Sequence, residues 1–114
     1  PFDFTPTSRF GAKTPPQQDK LCHGVDLRGL KYEDVIARGI DLTYVVDAYQ
    51  DLRSQGKQFY LKTGKRNFFN LLMGNTHVAE MMEAGKSATE IKASWQPDVE
   101  KFKAQRKPYL LYAE

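Results

Sequence analysis

The chain has 114 residues, enough for one domain and not comfortably two. With 40% hydrophobic and 27% charged residues, seven Phe and six Tyr, it reads as a folded globular chain and not a disordered one. Seventeen basic residues sit among fourteen acidic ones, so the net charge is only +3. No long block of one sign occurs, and the densest basic stretch, Lys57 to Arg66, is interrupted by Phe59, Tyr60 and Leu61. This is not the concentrated basic face of a nucleic-acid binder.

Cys22 is the single cysteine, so no internal disulfide can form and the redox compartment stays open. No run approaches the roughly 20 apolar residues of a membrane helix. No signal-peptide pattern is present. The chain starts at Pro1 rather than Met, which leads us to expect a fragment or processed product of a longer protein.

In chain order, Phe2 and Phe4 alternate with polar residues, as in a strand that ends before Pro6. Residues 8–20 carry Gly11, Pro15, Pro16 and many polar side chains, and read as a long loop of the kind that often carries function. Leu21, His23, Val25 and Leu27 alternate with Cys22, Gly24 and Asp26, which predicts a second short strand pairing with the first. Leu42, Val45, Val46, Tyr49 and Leu52 predict a helix over 41–54, opened by Asp41 and stopped by Gly56. Residues 58–62 read as extended. Two short helices follow, one between Asn67 and Gly74 and one between Thr76 and Gly85.

Ser87 and Glu90 form an S-x-x-E capping box. Ala88, Ile91, Trp95, Val99 and Phe102 then recur at helical spacing straight through Pro97, which predicts a long helix that kinks or two helices that abut. Pro108 blocks continuation, and Tyr109, Leu110, Leu111 and Tyr112 read as a buried strand. It would pack on that apolar stripe or extend the sheet. The fold class is therefore α+β: a small sheet from the N-terminal strands and the YLLY segment, packed by about four helices.

The chemistry-bearing residues are sparse. His23 and His77 are far apart in sequence, and no metal-ligand spacing or cofactor motif occurs, so neither metal nor cofactor is expected. Lys62–Asn67 contains a Gly-Lys pair but lacks the remaining P-loop residues, and reads as a polar turn before a helix. Cys22 and His23 are adjacent, and adjacent strand residues point to opposite faces, so they cannot pair as nucleophile and base. The acidic residues fall mostly on polar faces or helix starts. The most site-like element is the Pro/Gly-rich loop between the first two strands. Trp95, Phe59 and Tyr60 read as core.

Several residues taken in order resemble a known family. They are Phe4-x-Pro6-Thr7, Cys22-x-Gly24-Val25, Phe68-x-x-Leu71-Leu72-x-Gly74, Ala84-Gly85-Lys86-Ser87, Trp95, Phe102, Arg106 and Tyr109–Tyr112. This order resembles the C-terminal domain of the NamZ-type exo-β-N-acetylmuramidases, over nearly the whole chain. The resemblance implies a single domain, 1–114, serving as the smaller lobe beside a Rossmann-like N-terminal lobe. The active site lies in the cleft between the lobes. The implied activity is removal of N-acetylmuramic acid from the non-reducing end of peptidoglycan fragments, and hence export to the periplasm or cell surface. Catalytic acids belong to the other lobe, so no catalytic residue is expected here and the isolated chain should be inactive. Carried over by position, Pro6, Thr7 and Ser8 match the opening strand-to-loop turn, and Cys22, His23 and Gly24 match the second strand. These are cleft-lining candidates, and Gly24 would permit close backbone approach of a sugar. Arg9 and Lys13 join them as candidates to meet the muramic lactyl carboxylate. Alternative readings are an independent module binding cell-wall sugar or peptide, and a purely structural domain.

Overall fold

The computed structural model describes residues 2–112. The chain divides into two compact units, Pro1–Gly39 and Ile40–Glu114, each taken by itself below.

In the first unit, β1 (Phe2–Phe4) and β2 (Cys22–Gly24) pair antiparallel as predicted, with Phe2 opposite Gly24, Asp3 opposite His23 and Phe4 opposite Cys22. A helix that the sequence reading does not assign, α1 (Tyr32–Arg38), follows. Its start lacks a side-chain cap, and its seven residues give too short a pattern to read. Glu33 and Asp34 in the first turn and Arg38 in the last complement the helix dipole. Gly39, at φ +60°, ends it by donating its N–H to the Ile36 carbonyl. No described residue of this unit is buried.

The second unit holds α2 (Thr43–Ser54), the hairpin β3 (Lys62–Thr63) and β4 (Arg66–Asn67), α3 (Phe68–Met73), α4 (His77–Glu83) and α5 (Ala88–Arg106). The Asp41 carboxylate accepts the Thr43 N–H at 2.9 Å and opens α2. At its end Gly56 (φ +66°) lets Lys57 N–H reach the Leu52 carbonyl and Gly56 N–H the Arg53 carbonyl, a Schellman closure. Gly85 closes α4 in the same way, with Lys86 N–H on Met81 and Gly85 N–H on Met82. Asn67 caps α3 by accepting the Phe69 N–H. At α4 the capping side chain is Asn75, which accepts the Val78 N–H, rather than the expected Thr76. The Ser87–Glu90 capping box forms in full, and α5 runs unbroken through Pro97 for 19 residues.

The core consists of Leu42 just ahead of α2, Val46 and Tyr49 from α2, Tyr60 from the segment before β3, Val78, Ala79 and Met82 from α4, and Ile91 from α5. Phe59, Phe69, Met73, Ala88 and Trp95 pack against it half-buried. Four rings, Tyr49, Phe59, Tyr60 and Phe69, meet at centroid distances of 5.3–5.7 Å in edge-on or tilted pairs. The α2 stripe and the first half of the α5 stripe, Ala88, Ile91 and Trp95, therefore face a core as expected, and Phe59 and Tyr60 belong to it as well.

The C-terminal segment corrects the expectation. Lys107–Tyr109 form a 3-10 turn, and the YLLY residues join neither sheet among the described residues. Tyr109, Leu111 and Tyr112 are 83%, 89% and 85% exposed. Past Pro97 the α5 stripe is uncovered as well: Val99 and Phe102 are exposed, so the terminal residues do not close over it as a strand. Among the described residues, the sheet component is two separate antiparallel pairs, and five α-helices stand where about four were expected, α1 being the addition.

Candidate functional site

The loop between β1 and β2 is pinched at its base, where Asp19 N–H donates to the Pro6 carbonyl at 2.9 Å. Inside it, Arg9 and Ala12 exchange backbone hydrogen bonds of 3.1 and 3.0 Å around Gly11, which adopts φ +84°. That tight turn leaves Phe10 fully in solvent. Gln18 N–H on the Pro15 carbonyl and Lys20 N–H on the Gln17 carbonyl complete the loop. Gln17 and Asp19 both sit at φ +59°, a left-handed conformation that non-glycine residues hold at a cost on the order of 1 kcal/mol each. The Asp19–Pro6 bond helps offset that cost. Ordered, strained loops of this kind are where binding residues concentrate.

Strand register decides the rest. Asp3 and His23 are directly opposite, and their side chains meet at 2.6 Å between His23 Nδ1 and Asp3 Oδ1. Both are more than half exposed. A carboxylate on Nδ1 orients the ring, the arrangement of a positioned imidazole. The sequence reading misses Asp3 as this partner. The pairing of the two strands was legible, but their register was not.

The opposite face of the pair is apolar. Phe2 and Phe4 stack with centroids 6.1 Å apart, and the Arg28 guanidinium lies 5.0 Å from the Phe2 ring. Arg28 is held by a bidentate ion pair to Asp26, at 2.9 and 2.7 Å, which lowers the Asp26 carboxyl below its ordinary value. A shallow hollow of about 430 Å³ is lined by Phe2, Gly24, Val25 and Asp26. Cys22, half-buried, points away from His23 and donates toward the Lys20 carbonyl at 3.5 Å, so the two do not form a nucleophilic pair. The space a side chain would fill at Gly24 is taken by the Phe4 ring, 3.1 Å from an ideal Cβ, and not left open for an approaching ligand.

Of the eight candidates, the loop therefore gathers Pro6, Thr7, Ser8, Arg9 and Lys13 on one exposed excursion, while Cys22, His23 and Gly24 lie on β2 with His23 turned to the other face. Thr7, Ser8, Arg9 and Lys13 are all solvent-accessible. Among the described residues, no group of three or more His, Cys, Asp or Glu side chains is placed to hold a metal ion. Nor is any helix long and apolar enough to cross a membrane.

Comparison with known proteins bears on this geometry. Residues 1–112 match the family model described as exo-beta-N-acetylmuramidase NamZ, C-terminal. The chain belongs to the NamZ C-terminal family. A solved structure, a DUF1343 family protein from Bacteroides fragilis, superposes with a TM-score of 0.82 at 52% sequence identity. That likeness covers 100% of the present chain and 31% of the Bacteroides chain, so the NamZ C-terminal chain spans about a third of that relative's length. No curated protein matches.

Proposed function

We propose that the chain is the accessory C-terminal lobe of an exo-β-N-acetylmuramidase, lining the cleft in which a larger lobe hydrolyses the non-reducing-end N-acetylmuramic acid of peptidoglycan fragments. One observation carries this reading. A domain matched along residues 1–112 occupies 31% of its Bacteroides relative. Its first unit, meanwhile, exposes Phe2, Phe4, Val25, Leu27, Val35 and Ile36 and buries none of its described residues. Apolar surface of that extent is normally covered by a partner. A Rossmann-like lobe of the same polypeptide is the partner the family supplies.

In this reading the polar loop and the Asp3–His23 pair line the substrate side. Arg9 and Lys13 offer cations to the lactyl carboxylate, and the His23 Nε2 accepts a sugar hydroxyl. Catalytic carboxylates come from the larger lobe, and the isolated chain is inactive. Glycosidase chemistry needs two carboxyl groups flanking the scissile bond, and Asp3, the acid of the strand pair, is committed to His23. Action on peptidoglycan places the protein in the periplasm or at the cell surface.

A chromogenic N-acetylmuramic acid glycoside tests the proposal, assayed with this chain alone and with the full-length protein. Turnover is expected only from the full-length protein, and His23→Ala in that protein should raise KM. Turnover by the isolated chain would remove catalysis from the other lobe. An inactive full-length protein would end the muramidase reading. Tight sugar binding by the lone chain would instead favour an independent cell-wall binding module.

A further inference from the structure

The β3–β4 hairpin turns at Gly64 and Lys65, with Gly64 at φ +58° as such two-residue turns require. Against it, α3 and α4 border a half-open cavity of about 290 Å³. Its lining is polar. Lys62, Lys65 and Arg66 bring positive charge from the hairpin, Glu80 and Glu83 bring negative charge from α4, and Asn70 projects from α3. Among the described residues, these five charged side chains form no ion pair with one another. Lys62 lies 5.7 Å from the Tyr60 ring instead. The Asn70 side-chain oxygen is shielded from solvent and so lies behind the cavity wall, and the Asn67 oxygen caps α3, which leaves the Glu80 and Glu83 carboxylates as the acceptors of the cavity.

We propose that this cavity binds a small monoanion that carries a carboxylate next to an N–H or O–H donor. The carboxylate meets Lys65 and Arg66, whose charge and donor geometry suit it. The donor meets a carboxylate of Glu80 or Glu83, neither of which is ion-paired with the hairpin cations among the described residues. The two glutamates set an upper limit on ligand charge: three cations against two anions leave a single positive excess, which suits one carboxylate and disfavours a phosphate dianion or a polyanion. The volume is that of a small molecule and not of a polymer chain. A peptide C-terminus and an acidic sugar both present this chemistry. The inference is independent of the muramidase reading and stands even if the full-length protein proves inactive on muramic acid glycosides.

The experiment is calorimetric titration of the full-length protein with acetyl-alanyl-alanine, glucuronic acid, inorganic phosphate and glucose. One of the two carboxylates should bind, and which one binds identifies the source. Lys65→Gln with Arg66→Gln should weaken that binding roughly tenfold or more, the scale of lost charged hydrogen bonds. Lys65→Arg, which keeps the charge, should retain it. If the double variant melts early, Lys65→Gln alone decides the matter, since Lys65 is exposed on the turn. The proposal is overturned if neither carboxylate binds, if phosphate or glucose binds as tightly, or if the glutamine variants bind like the parent.

Discussion

Replacing Ile91 and Phe102 separately by Ala asks where the α5 stripe stops being core. Both residues lie on the same sequence pattern, yet Ile91 is 0% exposed and Phe102 is 59% exposed. Ile→Ala removes three carbon groups, about 2.4 kcal/mol of transfer free energy at about 0.8 kcal/mol each. Ile91 sits among Val78, Met82 and the α2 side chains, which cannot close fully over the gap, so a cavity contribution raises the cost to about 3–4 kcal/mol. In a unit of this size that lowers Tm by about 15 °C. Phe102→Ala loses a contact surface already mostly wet, and its cost should stay below about 1 kcal/mol. Thermal and urea unfolding of the 114-residue chain, followed by circular dichroism, give both numbers. An Ile91→Ala loss under about 1 kcal/mol, or a Phe102→Ala loss equal to it, would refute the assignment of the core to the N-terminal half of α5. In the full-length protein the Phe102 cost should grow if that surface is covered there.

Removal of residues 110–114 should change stability of the 114-residue chain by less than about 1 kcal/mol, because Leu111 and Tyr112 are exposed, and a melting shift above about 8 °C would show hidden packing. The Glu90 carboxyl is held down to about 2 by hydrogen bonds from the Ser87 backbone, Lys86 and the Ser87 hydroxyl. A depressed carboxyl stabilises the fold above its unfolded value of 4.5 and loses that contribution as pH falls toward 2. Glu90→Gln should therefore be less stable than the parent at pH 7, and the gap should close between pH 4.5 and about 2 in urea titrations; a gap independent of pH would contradict the capping role. Burial, with Glu83 and Tyr49 nearby, raises the Tyr60 hydroxyl to about 12. Its contribution is intact below pH 10 and is lost as pH climbs through 12, so Tyr60→Phe should flatten the alkaline loss of stability seen in the parent. Ultraviolet-monitored alkaline unfolding reads this directly.

Local pattern determined much of this protein. Helix starts and stops were legible because the capping box at Ser87–Glu90, the Asn67 cap and the glycines at 56, 74 and 85 are written in contiguous residues. The pairing of β1 with β2 and the core faces of α2 and the first half of α5 followed from periodicity alone. So did the exclusion of a Cys22–His23 pair. What the sequence could not supply depends on residues distant along the chain. Register, a matter of one residue in the pairing, put Asp3 on His23 and the Phe4 ring over Gly24. The YLLY segment has the composition of a buried strand, but burial requires pairing with distant residues, and among the described residues it joins neither sheet and leaves Val99 and Phe102 of α5 uncovered. The cavity beside the β3–β4 hairpin likewise exists only because α3 and α4 border a turn whose own sequence reads as an ordinary polar loop.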